Sequence, residues 1–507
     1  MPEVTEPTIA RGTSRTADVS EFKRTAVRGA IWVAAASAAA IPLTYYRNWV
    51  LGQAGDDGLV VGVLAVLLLF VNLVTTFVLF GGVTVVTNYL PKLPSSEDKS
   101  AFLASYGLIS GAIVVAVVGV IAAKQSLLTW ALKGEVDQSA VPFLLALLPI
   151  VVAASIANYA QAGLMDFRMS ALLNAAPTFV TCLVATAGVL LFPEYLARTP
   201  FPVLASGFVA AYLVALGVGG WRVIQQLGVF RRRFFLPDGF WRYAGFVHLN
   251  TITPFLFNSI DQAFVLAAVG MRELGAYFVM MQMAEFCRFV PNRISQVMLA
   301  SFSHLVGSGE HDSLKAAYKR LSRLAVVLTT LLVLGVMCLS PWLAELYGDF
   351  FGARYRYLIP LAALAAVGSV GAINSMLIMA KERTGIFLVS NLTLVAVQLV
   401  VTLFFIADYG VFAVIFGRAA GVVWGQIGNF SIIRWGLPNV HLAPPREYWP
   451  SLAVVGGVAA YLLSAEAVPL THAVALMVGG SAVFLATIRF RYAELVALLQ
   501  IAKSRSG

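Results

Sequence analysis

Charge is scarce in this chain. Of 507 residues only 12% are Asp, Glu, Lys or Arg, while 59% are apolar. Soluble chains carry about 25% charged residues, so this composition excludes a string of soluble domains. Cysteine is scarcer still: Cys182, Cys287 and Cys338 lie in apolar stretches without metal-ligand spacing. That excludes a disulfide framework and a thiolate metal site and leaves small packing residues. The five histidines (His248, His304, His311, His441 and His472) are scattered. There is no HExxH, no GxSxG and no carboxylate pair at sugar-cleaving spacing. No glycine-rich phosphate loop marks an ATPase. The expectation is therefore no catalytic residue, no metal, no cofactor and no enzyme, with any driving force drawn from substrate gradients or ion coupling. The net charge of +10 does not argue for nucleic acid, because membrane topology uses the positive charges.

What is present is a series of apolar runs long enough to cross a bilayer. Fourteen are expected, over 28–50, 59–81, 102–122, 140–162, 170–192, 203–224, 243–268, 275–300, 324–346, 357–380, 386–406, 409–433, 450–467 and 470–488. The reading is an all-α polytopic membrane protein. Lys and Arg sort by side: 25 fall with the N-terminus, six fall opposite and four lie at membrane depth, which accounts for all 35. This bias places both termini in the cytoplasm of a cell whose inner membrane holds the protein. Residues 1–26 read as a disordered cytoplasmic tail before an uncleaved first span. Stretches 27–226 and 243–434 read as two six-helix bundles joined by a basic cytoplasmic linker, 227–242. Two extra spans (449–488) and a cytoplasmic tail (489–507) follow. The stretch from Trp221 to Arg242 carries Arg222, Arg231, Arg232, Arg233 and Arg242; it fixes orientation, with acidic lipid head groups as a further contact. Residues 301–323 include SGEHDSLKAAYKRLSR and read as a short capped surface helix.

An internal repeat supports the two bundles. Arg28-Gly-Ala-Ile-Trp opens span one and Arg242-Tyr-Ala-Gly-Phe opens span seven; nineteen residues on stand Arg47 and Asp261. A second match aligns NYAQAGLMDFRMSALLN from Asn158 with NSMLIMAKERTGIFLVSN from Asn374. The two offsets, 214 and 216, nearly agree. A parallel duplication of this kind places a substrate between the halves near the midplane.

Charges within a bilayer are costly, roughly 2.5–3.5 kcal/mol each on insertion scales, and usually mark a pathway. Span eight carries Gln282, Glu285, Arg288, Asn292 and Gln296 on one helix face, with Pro291 bending it. Span seven carries Asn250, Pro254, Asn258 and Asp261. Span twelve has Arg418, Asn429 and a ridge of Gly417, Gly421 and Gly425 for close packing. Arg47 either faces a cavity or snorkels to the head groups. Glu285 and Arg288 either serve a pathway or neutralise each other, and Asp261 either does likewise or pairs with Arg288 or Arg293. Four arginines against two acids suit an anionic substrate, and guanidinium matches phosphate in bidentate fashion.

The span pattern, the basic middle linker, RGAIWVAAASAAAIPLTYYRNWVLGQAGDDG, AGLMDFR and AKERTG resemble the bacterial polysaccharide (O-antigen-type) flippases of the multidrug/oligosaccharidyl-lipid/polysaccharide exporter superfamily. The resemblance covers roughly residues 20–490. It implies two bundles facing across a cavity and alternating access that moves an undecaprenyl-pyrophosphate-linked oligosaccharide from the inner to the outer leaflet. It implies membrane lipids and polysaccharide polymerase machinery as further partners. By position, Arg47, Arg288, Arg293 and Arg418, with Asn258 and Asn292, are the expected substrate-binding residues. Asp261 and Glu285 are the expected coupling or modulating acids. The alternative is a cation-coupled drug or metabolite exporter of the same superfamily, using Asp261 or Glu285 as its ion site.

Overall fold

The computed structural model describes residues 32, 35–36, 38–55, 57–123, 140–228, 233–289, 291–292, 295, 302, 305–306, 308–381, 384–436, 442–466 and 468–488. The expected tails at 1–26 and 489–507, Arg293, and most of the linker's arginine triplet lie outside the described residues. Among those described there is helix and no strand. The helices are α1 (residues 38–52), α2 (Leu59–Val78), α3 (Gly82–Tyr89), α4 (Ser96–Ala123), α5 (Ala140–Gly163), α6 (Phe167–Leu191) and α7 (Pro200–Leu227). After the linker come α8 (Phe240–Ala268), α9 (Met271–Cys287), α10 (His311–Cys338), α11 (Leu358–Val367), α12 (Gly371–Ala380), α13 (Thr384–Tyr409), α14 (Val411–Gly436), α15 (Tyr448–Ser464) and α16 (Leu470–Thr487). Ten described segments are long and apolar enough to cross a membrane, counting 355–380 as one. Helices α1, α8, α9 and α15 fill the other four expected positions. The chain is a multi-pass membrane protein, and its surface agrees: Trp221, Trp241, Trp435 and Trp449 are exposed near helix ends, as interfacial anchors are.

Two spans differ from the uniform helices expected, and span two ends where expected. Span two turns into α3 at Gly81 and Gly82, both in the left-handed region at φ 76° and 53°; glycine occupies it without a Cβ clash. Span eight leaves the helix after Cys287, where the Arg288 N–H turns back to the Glu285 carbonyl at 3.0 Å. Pro291 explains this, since it brings no N–H to bond the Cys287 carbonyl and its ring crowds that turn. Span ten is two helices, α11 and α12, with turns at 368–370. The short surface helix expected near 301–323 is corrected too. Residues 311–323 are the first turns of the 28-residue α10, and its apolar stripe simply continues inward: Leu314, Tyr318, Ala325 and Val326 are all buried.

Helices before the linker pack mainly among themselves, as do those after it; α2 crosses to α8 and α9. At the end bearing loops 53–58, 269–271 and 346–356 the two groups meet without clearance. A Cβ on Gly62 would strike the Met271 carbonyl, and one on Gly275 the backbone of Gly58 and Gly62. Asp57 and Arg272 pair at 3.0 Å, and Gln53 Nε2 donates to the Leu346 carbonyl at 2.9 Å. The glycine ridge on α14 is likewise packing. A Cβ on Gly417 would run into Thr402 Oγ1 and, at 2.7 Å, the Gln398 carbonyl of α13.

Replacing Gly417 by Leu should therefore force α13 and α14 apart. Overpacking of this kind costs about 1–3 kcal/mol. A lower thermal unfolding midpoint of the purified protein in lipid, relative to wild type, is the expected result.

Candidate functional site

A cavity of about 700 Å³ lies between the two groups of helices. α1 contributes Thr44 and Arg47, α2 Asn72, and α6 Thr178. From beyond the linker come Asn258 of α8, Gln282 and Glu285 of α9, Arg288 and Asn292 just after it, and Arg418, Gln426 and Asn429 of α14. Members of the three polar stripes read on spans seven, eight and twelve thus meet at one space, though Asn250 and Asp261 do not line it.

Its charges are arranged unequally. On the α8 side they form a chain of alternating sign. Asp261, fully buried, accepts from Arg418 Nη1 at 2.5 Å, from the Tyr277 hydroxyl at 2.5 Å and from the Gln262 N–H at 2.8 Å. Arg418 also sits 5.0 Å from the Phe257 ring centre and 3.6 Å from Glu285 Oε1. Glu285 in turn accepts from Arg288 Nη1 at 2.8 Å. Glu285 and Arg288 thus form an ion pair at the cavity wall, and among the described residues the partner of Asp261 is Arg418 rather than Arg288. Isolated charges this deep would each cost several kcal/mol, and pairing with added hydrogen bonds offsets that.

Arg47 stands apart. It is 3% exposed, so it does not snorkel. Its Nη1 donates to Thr181 Oγ1 at 3.0 Å, and its Nε and Nη2 lie 3.4 Å from Asn48 Oδ1. Among the described residues no carboxylate pairs with it. Among the described residues three arginines stand against two acids, and the excess positive charge resides here.

Sequence reasoning missed Tyr277, Thr181, Gln262 and Tyr45. Tyr277 meets Asp261 only because α8 and α9 fold back on each other, and no spacing signals that. Thr178 and Thr181 do carry a signal, being three residues apart on an apolar helix and so on one face. Asn258 and Asn292 are both at the cavity wall, with Asn258 Oδ1 3.5 Å from Arg418 Nη2. The repeat-related Asn158 and Asn374 have different surroundings: Asn158 donates to Asn174 Oδ1 at 2.7 Å, while Asn374 accepts from the Tyr318 hydroxyl at 2.7 Å. Asp166 caps α6 through the Met169 N–H at 3.1 Å and pairs with Arg222. No group of three or more His, Cys, Asp or Glu suited to a metal occurs among the described residues.

No protein-family model and no curated protein matches the chain. Solved structures do. The lipid II flippase MurJ in an inward closed conformation superposes with a TM-score of 0.65 over 92% of this chain and 100% of that one, at 14% identity. The fold is that of the MOP transporters. An inward-facing multidrug resistance MATE transporter of the MOP superfamily matches with a TM-score of 0.57, over 84% of this chain and 96% of that one, at 12% identity. A MOP superfamily transporter from Pyrococcus furiosus, described by the reverse polarity of its binding pocket, gives 0.50 over 81% and 96%, at 14% identity. Within this fold, the cavity of the present chain has a mixed polar and apolar lining and carries Arg47, which no carboxylate pairs among the described residues.

The α8–α14 ion pair yields a stability prediction. Arg418→Ala leaves Asp261 buried without its cation, a loss of about 3–5 kcal/mol. Removing both charges, as Asp261→Asn with Arg418→Met, should recover most of that. Thermal unfolding of the single and double variants in lipid measures the difference; equal destabilisation of the two would contradict the pairing.

Proposed function

We propose that this protein is a flippase that moves a lipid-pyrophosphate-linked oligosaccharide from the inner to the outer leaflet of the cytoplasmic membrane. The observation that carries the reading is Arg47, buried at the cavity wall with no acid beside it among the described residues. A buried guanidinium without a counter-ion awaits an anion, and it matches phosphate geometry through paired hydrogen bonds. Arg288 and Arg418, across the cavity, add two more cations that substrate oxygens can reach, and Asn258 and Asn292 supply neutral hydrogen-bonding groups. Arg293 belongs to the same proposal by its place in the sequence. The substrate is then an undecaprenyl-pyrophosphate-linked oligosaccharide, its lipid tail remaining in the bilayer, with membrane lipids and polysaccharide polymerase machinery as partners.

Both termini lie in the cytoplasm in this reading, so the glycine-packed end is the outer one. The cavity then loads from the inside while Gly62 against Met271, Gly275 against Gly58, and the Asp57–Arg272 pair keep the outer end shut. Rocking of 27–226 against 243–434 about that contact gives alternating access. Lipid II is what the MurJ neighbour is named for; a lipid-linked glycan is the same chemical class. The alternative, a cation-coupled exporter using Asp261, is disfavoured because Arg418 already fills the cation's place at that carboxylate.

In cells lacking the protein, the lipid-linked oligosaccharide should accumulate on the cytoplasmic face. The wild type should relieve this and an Arg47→Ala/Arg288→Ala variant should not, at equal membrane protein level. Leaflet-selective labelling of the glycan reads the distribution. An unchanged distribution without the protein removes the flippase reading, and full rescue by the variant removes the site.

A further inference from the structure

The cavity is not charged throughout. Its described charged lining is Arg47, Glu285, Arg288 and Arg418, which leaves one stretch of wall uncharged where α12, α13 and α14 meet. There Ser375, Asn391, Gln426 and Asn429 line the space among small and apolar residues. Gly410, just before α14, lies beside Val269 at the closed end. α14 therefore leads from that end through Arg418 toward Gln426 and Asn429. At about 1.5 Å per residue, these two stand about 12 Å and about 16 Å beyond Arg418 along the helix. Cations and amides thus occupy successive levels of one cavity.

The hydrogen-bonding groups at the second level are unspent. Asn429 is 7% exposed, and no hydrogen bond reaches its side chain among the described residues. Gln426 Oε1 is buried and has no partner among them either. The Gln426 carboxamide lies over Gly371, where any Cβ would strike its Nε2. The turn at 368–370 that divides span ten thus sets a bare glycine under this amide. Ser375 donates to the Gly371 carbonyl at 2.9 Å and keeps its oxygen as an acceptor. Asn391 joins the group from α13. A carboxamide offers both donors and an acceptor, and sugar hydroxyl and acetamido groups call for both. A cationic ligand finds no acid on this stretch, and an acidic sugar finds no described cation there.

We infer that Ser375, Asn391, Gln426 and Asn429 form a glycan subsite, which takes an uncharged, acetamido-bearing sugar of the substrate while the arginines hold its pyrophosphate. The inference rests on the phosphate reading of the cavity and assigns the sugar's place within it. A site built to hydrogen-bond a substrate's O–H and N–H groups discriminates against an analogue that lacks them. Each such bond is worth roughly fivefold in affinity.

The test is titration calorimetry of the full-length protein in lipid nanodiscs with two probes. One is farnesyl-pyrophosphoryl-chitobiose, which carries two uncharged acetamido sugars. The other is farnesyl methyl pyrophosphate, a diester of the same charge with no sugar. Wild type should bind the first at least about tenfold more tightly, as two or more hydrogen bonds require. Gln426→Leu with Asn429→Leu should lose most of that preference and bind both probes about as wild type binds the methyl ester. Asn391→Ala, a milder change on another helix, should lower the preference about fivefold. Arg47→Ala should weaken both probes alike and leave their ratio unchanged. Equal wild-type affinity for the two probes overturns the glycan subsite and leaves the phosphate site standing. An undiminished preference in the amide variants also overturns it, as does an equal loss of both probes in Asn391→Ala. Failure of the wild type to bind either probe overturns the flippase reading and this inference together. The wild-type ratio and Asn391→Ala decide the matter even where the double variant does not fold.

Discussion

Burying a guanidinium in a membrane is expensive, and the way this chain meets that cost organises the rest of its structure. Arg418 is 5% exposed in its side chain and survives there because Asp261, itself sealed, reaches it from another helix at 2.5 Å. Tyr277 and the Gln262 N–H satisfy the remaining lone pairs of that carboxylate. The pair fixes α14 against α8, and the glycine ridge lets α13 press against α14 closely enough to hold it. Once Arg418 is in place, Glu285 and Arg288 fall in line beside it. The ion chain is thus both a strut and one wall of the cavity.

The opposite wall is built on another principle. Arg47 is held by hydroxyl and amide oxygens, from Thr181 and Asn48, rather than by a carboxylate. Neutral acceptors orient a guanidinium without cancelling its charge, so the field it projects into the cavity persists. One wall is neutral overall and the other positive. Residues Arg47 and Asp261, aligned by the sequence repeat, thus carry opposite charges to opposite ends: one charge is left open and the other is closed.

Glycine plays a different part at the far end. Gly58, Gly62 and Gly275 let backbones approach where any side chain would hold them apart, and charged pairs on the rim add direction. Such an interface is strong in van der Waals contact yet lacks the deep ion pair found between α8 and α14. A contact of that kind can part and reform as a unit, which the proposed alternating access would require.

The sequence by itself determined the membrane-spanning helical architecture, because twenty-residue apolar runs have no other low-energy state in lipid. It also determined the three polar stripes on spans seven, eight and twelve, since helical periodicity places residues three and four apart on one face. The break after Cys287 was legible from Pro291 alone. Only the tertiary structure decided which charge meets which. Arg418 and Asp261 are 157 residues apart in the chain, and the sequence offers Arg288 or Arg293 as the acid's partner. It alone decided that Arg47 faces inward, because snorkelling and burial share one sequence and differ only in whether Thr181 stands within reach. The helix continuing through 311–323 escaped the sequence reading for a related reason. Polarity there marks the part of a long helix that leaves the bilayer, and composition cannot distinguish this from a separate surface helix.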